Sequence, residues 1–367
     1  MKQIIAIAIS GGIDSLVAAY FLKKEGYNVI GIHFLTGYET EPIYQNKSKF
    51  SPKTDIKLFS PNKKLAADKI ARIENQIGIK VEIKDCSSEF KKEVVDYFTR
   101  TYLAGKTPNP CLVCNPSIKF GTLLDFARKL GATRLATGHY ARIKKDNKGK
   151  FHLFRGIDSR KDQSYFLSFL TQEQLASSCF PLGNLKKSEV KKIAQEIGLK
   201  PVVRKESQDV CFIKGNTYGE FLLLQPGFKV EPGLIQDVKG NIIGKHKGLH
   251  LYTIGQRRGI NCPASEPYYV VRIDIEKNRL MVGFKKDLPV SECKIEKINW
   301  INQKPNSPIQ VKTRVRYRSK AVPSILFPGK KHNAIVRFKD PQLAITPGQG
   351  AVFYKNDEVL GGGWIGA

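Results

Sequence analysis

Two groups of residues in this chain have types and spacings suited to chemistry. The first is Ser10-Gly11-Gly12-Ile13-Asp14-Ser15, which follows the apolar run Ile4 to Ile9 and opens onto a helical stretch. Glycines there permit positive φ and close backbone approach, so successive N–H groups can point into one phosphate. The N-terminus of the following helix adds partial positive charge, and the two serine hydroxyls add donors. Asp14 repels phosphate unless it holds Mg²⁺ or a backbone amide, which points to a metal–nucleotide complex. The loop lacks the Gly-Lys-Ser/Thr ending of a Walker A motif and is no dinucleotide fingerprint. Its plainest alternative is a Gly-Gly turn capped by Asp and Ser.

The second group is made of thiols. The chain has 7 cysteines, and only Cys111 and Cys114 are close in sequence. An odd count without a secretion signal suggests free, reactive or metal-ligating thiols rather than a disulfide framework. Cys111-x-x-Cys114 could be half of a zinc site, but no second pair lies at a suitable spacing. Cys211, flanked by Val210, Phe212 and Ile213, also suits an inert core thiol. Cys86, Cys179, Cys262 and Cys293 fit no motif and read as packing residues.

The elements that must position these groups alternate in the first half. Ile4 to Ile9 reads as a buried parallel strand, Leu16 to Glu25 as a helix stopped by Gly26, and Asn28 to Phe34 as a second strand. A helix over Leu65 to Gln76, a strand over Ile79 to Ile83 and a helix over Ser88 to Leu103 follow. A helix over Ile118 to Leu130 and a strand over Arg134 to Thr137 complete the pattern. This predicts an α/β, doubly wound parallel sheet. The polar stretch 37–63 reads as a long loop.

From about Arg204 short β segments dominate, among them Gly233 to Asp237, Leu249 to Ile254, Tyr268 to Asp274 and Gln310 to Tyr317. They predict two small β-rich domains after the sheet. The expected division is 1–208 for the catalytic domain, 209–285 for a central β-rich domain and 286–367 for a C-terminal β-barrel. The longest apolar run is far too short to span a membrane, and the N-terminus resembles no targeting segment, so a cytoplasmic protein is expected. Lys and Arg number 61 against 33 Asp and Glu, a formal net charge of +28. Such an excess attracts polyanions, although the lysines are spread along the chain rather than massed in one block.

Ser10 to Ser15 resembles the SGGxDS motif of the PP-loop (N-type) ATP pyrophosphatases, which cleave ATP between the α- and β-phosphates and leave an adenylylated substrate. Further segments narrow the resemblance. They are Thr107-Pro-Asn-Pro-Cys-Leu-Val-Cys-Asn115 with Ile118-Lys-Phe120, Ala136-Thr-Gly-His-Tyr-Ala-Arg142 and Lys161-Asp-Gln-Ser-Tyr-Phe-Leu167. Lys205-Glu-Ser-Gln-Asp-Val-Cys-Phe-Ile213, Tyr252-Thr-Ile-Gly-Gln-Arg-Arg-Gly259 and Thr346-Pro-Gly-Gln349 complete the set. Together they resemble the tRNA-specific 2-thiouridylases over nearly the whole chain.

That resemblance implies a tRNA sulfurtransferase that adenylylates the C2 oxygen of the wobble uridine and replaces it with sulfur. Cys211 would carry a persulfide, Cys114 would be its partner nucleophile, and Asp14 would serve the phosphate loop. Ala8, Ile9, Ser10, Gly11, Gly12, Ile13, Asp14 and Ser15, with the main chain of Phe34 and Gly138, match the ATP-binding positions. Asn109, Pro110 and Cys111 match the segment that meets the target base. Lys161, Asp162, Gln163, His139, Arg316, Tyr317 and Gln349 match tRNA contacts, against plainer readings of His139 as a loop histidine and of Arg316-Tyr317 as a solvated face. ATP and Mg²⁺ are the implied cofactors. The partners would be tRNA and a sulfur donor protein, either a relay protein or a cysteine desulfurase.

Two positions depart from the family. Many members carry Asp where this chain has Cys111, and Leu35-Thr-Gly-Tyr-Glu39 stands where Lys-Asn-Trp and acidic residues are frequent. A third thiol opens an alternative, an iron–sulfur cluster on Cys111, Cys114 and Cys211 with one open iron that carries the sulfur. A further alternative is a PP-loop synthetase with a nitrogen nucleophile, which would need none of the three cysteines.

Overall fold

The Ile-rich run at the start of the chain becomes β1 (Ile4–Ala8), the middle strand of a five-stranded sheet. The computed structural model describes residues 2–39, 63–202, 210–214 and 217–366. Most of the expected loop 37–63, and residues 203–209 with the expected boundary at 208/209, lie outside the described residues. By internal packing the chain divides into two units. One is Met1–Val94, Cys111–Asn216 and Asp357–Val359, and the other is Val95–Pro110, Thr217–Asn356 and Leu360–Ala367.

In the first unit β1 is followed by β2 (Asn28–Leu35), β3 (Val81–Asp85) and β4 (Arg134–Ala136). A hairpin of β5 (Ala141–Lys145) and β6 (Phe151–Arg155) comes next, then the short β7 (Ser178–Cys179). The sheet runs β3-β2-β1-β4-β7 with every pairing parallel. Ile5, Ala6 and Ile7 are fully buried, which is why an unbroken apolar run suits this strand. The chain winds one way from β1 to β2 and the other way to β4. In such sheets ligands settle beyond the carboxyl ends of the strands at that point of reversal.

Helix α1 (Ile13–Lys24) buries Ser15, Leu16, Val17, Ala18, Ala19 and Leu22 against this sheet and its other helices. Gly26, at φ +87°, takes the left-handed turn that ends it. Helix α2 (Lys63–Ile77) adds Ile70, Ile73 and Ile77 to the same core, and the helix Lys187–Glu196 adds Val190 and Ala194. The hairpin β5/β6 continues through Glu358 and Val359, which pair with Phe154 and Leu153.

The second unit holds two β structures. Strands β8 (Gly233–Asp237), β9 (Ile242–His246), β10 (Tyr269–Asp274) and β11 (Arg279–Gly283) form a sheet ordered β10-β11-β8-β9 around Ile235, Val270, Leu280 and Val282. The later strands are β12 (Pro289–Trp300), β13 (Ile309–Arg314), β14 (Val322–Pro328), β15 (Ala334–Leu343), β16 (Gly350–Lys355) and β17 (Glu358–Ile365). They run β12-β15-β14-β13-β16-β17, and pairing of β12 with β17 closes them into a six-stranded barrel. Closure leaves no free edge, and inward positions such as Ile295, Val311, Leu326, Val336 and Phe353 fill the barrel.

The expected parallel sheet followed by β-rich domains is therefore found, with local differences. Leu249 to Ile254 is no strand, since Leu249–Leu251 forms a 3₁₀ turn behind Gly248 at φ +146°. The helix expected from Ile118 begins at Pro110 instead, because proline is accommodated at the first turn where its missing N–H is not needed. The hairpin β5/β6 was not expected, although Ala-Arg-Ile-Lys-Lys and Phe-His-Leu-Phe-Arg alternate with a strand's period of two.

Barrel closure makes a specific demand at Gly361, whose added Cβ would run into the carbonyl oxygen of Asn299 on β12. Gly361→Ala should destabilise the barrel by about 1–3 kcal/mol. Hydrogen exchange should then quicken in β12 and β17 while β1 stays protected; unchanged protection of both barrel strands would contradict the closure described.

Candidate active site

The phosphate loop leaves the carboxyl end of β1 where the sheet order reverses. Ile9 still donates to the Ile32 carbonyl at 2.9 Å, and Gly11, at φ +82°, then turns the chain away. Gly12 is the extended residue before α1, and Ser15 Oγ donates to its carbonyl at 2.8 Å. Ser10 Oγ accepts from the Gly12 N–H at 3.3 Å, which completes a small self-bonded loop. His33 on β2 braces it from behind through Nδ1, 2.8 Å from the Ile9 carbonyl oxygen. Burial first, and the nearby Lys69 ammonium second, hold His33 below its usual pKa, so the ring is neutral and Nδ1–H donates.

Two close approaches explain why glycines are needed here. A Cβ on Gly11 would sit 3.2 Å from Lys69 Cε, so the Lys69 side chain lies across the loop. A Cβ on Gly138, just beyond β4, would lie 3.0 Å from both the Asp14 carbonyl carbon and the Ser15 nitrogen. The matched ATP positions Ala8–Ser15 and Gly138 are thus brought together, with Phe34 alongside on β2.

Asp14 is already paired. Lys187 Nζ lies 2.8 Å from Oδ1 and 2.7 Å from Oδ2, and the Tyr140 hydroxyl donates to Oδ1 at 2.7 Å. The carboxylate as placed does not fit a metal ligand.

The thiols occupy a neighbouring part of the same unit. Helix Pro110–Cys114 puts Cys111 and Cys114 three residues apart, hence on one face. Asn115, buried, donates to the carbonyls of Cys111 and Phe166 at 3.0 Å each and pins the end of that helix. The turns that follow, Asn115–Leu123, widen to i→i+5 hydrogen bonding, a distortion frequently found at functional sites. Cys114 is buried, whereas Cys111 and Cys211 each present a face to solvent. Phe212 anchors the Cys211 turn by packing edge-on against Phe90, 5.7 Å between ring centroids.

Electrostatics ties these groups together. Crowding by protein atoms, with a smaller push from the neighbouring Cys211, raises the Cys111 thiol to about 11. Burial raises Cys114 further and raises Cys211, while the Lys119 ammonium pulls all three back down. Lys119 also stands 3.4 Å from His139 Nε2, and His139 Nδ1 lies 2.6 Å from Thr137 Oγ1. Burial and Lys119 hold His139 well below its usual pKa, so it is neutral, accepting at Nε2 and donating at Nδ1.

Among the described residues no group of three or more His, Cys, Asp or Glu side chains could hold a metal ion. Cys111, Cys114 and Cys211 as placed do not fit an iron–sulfur cluster.

The matched tRNA positions divide by exposure. Arg316 is exposed and Tyr317 half-buried in a turn after β13, not in a strand; the Arg314 guanidinium lies 5.1 Å from the Tyr317 ring centre. Lys161 is half-buried, whereas Asp162 is buried with Oδ1 accepting from the N–H groups of Gly156 at 3.2 Å and Ser164 at 3.0 Å. Gln163 Oε1 accepts from the Tyr140 N–H at 3.0 Å. Gln349 is buried in the second unit, its amide donating to the carbonyls of Thr107 at 3.1 Å and Pro108 at 2.9 Å, just before Asn109. Asn109 is itself buried, and its N–H donates to the Tyr97 hydroxyl at 3.3 Å. Lys119 and Tyr140 lie in segments that carry the resemblance but were given no role, whereas Lys69 and Lys187 lie in no motif.

A self-bonded Ser-Gly-Gly-x-Asp-Ser loop at the reversal point of a parallel sheet defines the class, a PP-loop enzyme with appended β domains. Known proteins agree with this. A family described as a tRNA methyl transferase HUP domain matches residues 3–215, a tRNA methyl transferase PRC-barrel domain matches 221–284, and an aminomethyltransferase beta-barrel domain matches 290–365. A protein of Desulfosudis oleivorans named tRNA-specific 2-thiouridylase MnmA is 47% identical over 100% of this chain and 96% of its own. A namesake in Geobacter metallireducens is 42% identical over 100% and 97%, and one in Thermoanaerobacter sp. 43% over 98% and 97%. Among solved structures, a 4-thiouridine synthetase–RNA complex with bound ATP aligns with 57% of this chain and 44% of its own, at 17% identity and a TM-score of 0.33. The chain belongs to the tRNA-specific 2-thiouridylase family. No helix among the described residues is long and apolar enough to cross a membrane.

The raised thiol value makes a pH prediction. With a pKa of about 11, Cys111 at pH 7 is thiolate in roughly one molecule in ten thousand. Its alkylation by iodoacetamide, followed by peptide mass spectrometry, should quicken about tenfold per pH unit from 7 to 10. Lys119→Gln should slow it at every pH in that range. A plateau near pH 8.5 would contradict the described surroundings.

Proposed function

We propose that this enzyme carries out ATP-dependent 2-thiolation of the wobble uridine in tRNA, using a persulfide on Cys211. The observation that carries the reading is the presence, in one folded unit, of a phosphate loop built for a nucleotide and three thiols under one lysine's charge. Membership of the thiouridylase family over the full chain supports the choice of tRNA and uridine. The net charge of +28 favours a polyanionic substrate.

The target base must leave its stack for C2 to be reached. Asn109, Pro110 and Cys111 meet it, and Lys161, Arg316 and Tyr317 contact the surrounding RNA. Asp162, Gln163, His139 and Gln349, whose polar atoms bond inside the protein, act by shaping those surfaces. ATP enters with its Mg²⁺, and its phosphates meet the Ser10–Ser15 loop at the N-terminus of α1. The uridine O2 attacks the α-phosphorus, pyrophosphate leaves, and an adenylylated base results.

The terminal sulfur of the Cys211 persulfide, more acidic than a thiol, then attacks C2 and AMP departs. This leaves the base joined to Cys211 through a sulfur–sulfur bond. Cys114 attacks the Cys211 sulfur, forms a Cys114–Cys211 disulfide and releases 2-thiouridine. A cellular thiol reduces that disulfide, and a sulfur donor protein, either a cysteine desulfurase or a relay protein, reloads Cys211. The reaction belongs in the cytoplasm, with its tRNA.

Two substitutions separate the steps. Cys211→Ser should lower 2-thiouridine formation by roughly a thousandfold or more while tRNA-dependent pyrophosphate release continues. Cys114→Ser should accumulate tRNA joined to the protein by a link that dithiothreitol breaks. Normal thiolation by Cys211→Ser, measured by nucleoside mass spectrometry, would refute the assignment.

A further inference from the structure

The acidic residue of the phosphate loop is held by groups far away in the chain. Lys187 and Tyr140 lie 173 and 126 positions from Asp14. Lys187 opens the helix Lys187–Glu196, and its own N–H donates to Asp158 Oδ2 at 2.8 Å, which fixes where that helix begins. Its side chain is 8% exposed against 33% for Asp14, so the ammonium reaches its partner from inside the protein. Tyr140 is buried, and Gln163 clasps its main chain twice. The Gln163 N–H donates to the Tyr140 carbonyl at 2.9 Å, and the Gln163 Oε1 accepts from the Tyr140 N–H at 3.0 Å.

Two facts on charge bear on what this pair does. A carboxylate beside a polyphosphate path opposes its ligand unless a cation neutralises it. Lys187 meets both oxygens of Asp14, and its own helix is anchored independently through Asp158, so the cation is fixed in place. The phosphate loop then carries a neutral ion pair at Asp14 rather than an uncompensated anion.

We propose that Lys187 is a positioning residue for adenylylation: it neutralises and orients Asp14, and so makes the phosphate loop able to accept a triphosphate. The proposal rests on the reading of this loop as the ATP site. It assigns Lys187 to Asp14 and not to the phosphates.

Removal of one member of such a pair leaves the other charge uncompensated. Because Asp14 is partly open to water, the expected loss is moderate. Lys187→Met should weaken binding of MgATP, read by isothermal titration calorimetry without tRNA, by about tenfold or more. In turnover it should raise the KM for ATP more than it lowers kcat. Lys187→Arg should keep most of the affinity. Asp14→Asn should bind MgATP more tightly than Lys187→Met does. The double variant Asp14→Asn, Lys187→Met should recover most of what Lys187→Met loses, whatever its melting temperature.

A double variant as weak as Lys187→Met would place Lys187 on the phosphates themselves and overturn the proposal. So would loss of binding in Asp14→Asn, which would make Asp14 a ligand of the nucleotide's Mg²⁺. Unchanged affinity in Lys187→Met would overturn it too, leaving only a role in folding. ATP binding by the unaltered protein without sulfur transfer to tRNA would instead count against the thiolation reading and leave this one standing.

Discussion

A carboxylate at the mouth of a phosphate loop has to be neutralised, and the first unit devotes residues from three distant stretches of chain to that requirement. Asp14 stands at the start of α1, Tyr140 follows β4, and Lys187 opens a helix beyond β7. Because these three meet, the reversal point of the sheet, the Gly138 approach and the 158–163 loop are fixed relative to the Ser10–Ser15 loop. The Lys187–Asp14 pair alone adds little net stability, since desolvation offsets most of the attraction between partly buried charges. Its value is placement: it fixes where charge sits at the start of α1.

A second constraint acts on the thiols. Crowding pushes Cys111 to about 11, and burial raises Cys114 and Cys211, so ordinary thiolates are scarce near neutrality. That is unfavourable for direct thiol attack and well suited to a persulfide, whose terminal sulfur ionises more readily. Lys119 supplies the opposing charge without leaving its place beside His139, whose neutral ring accepts from it.

Much of the fold could be read in the sequence because its elements are locally unambiguous. Ile4–Ala8 is an unbroken apolar run followed by glycines, which suits a buried parallel strand feeding a tight turn into a helix. Glycines 26, 78 and 131 take positive φ at helix ends, where the pattern predicted stops. Elements without a clean period were harder. Helix Pro110–Cys114 lies between prolines at 110 and 116, and its wide turns blur the helical spacing beyond it. Hairpin β5/β6 carried a legible alternation that its basic residues concealed. At the site, motifs carried the loop and the cysteines, whereas Lys187 lies in no motif and Tyr140 and Lys119, though inside motif segments, show their partners only through tertiary contact. His139 and Gln349 were legible as positions but not as buried braces, since burial is decided by other segments.

In the proposed thiolation ATP activates the C2 oxygen of the uridine itself. A tRNA carrying oxygen-18 at that atom tests it most directly, in a single turnover with ATP and the persulfide-loaded enzyme. The account predicts that AMP released from the reaction carries the label, one oxygen-18 for each 2-thiouridine formed. Label appearing in water, with unlabelled AMP and a full yield of 2-thiouridine, would contradict it.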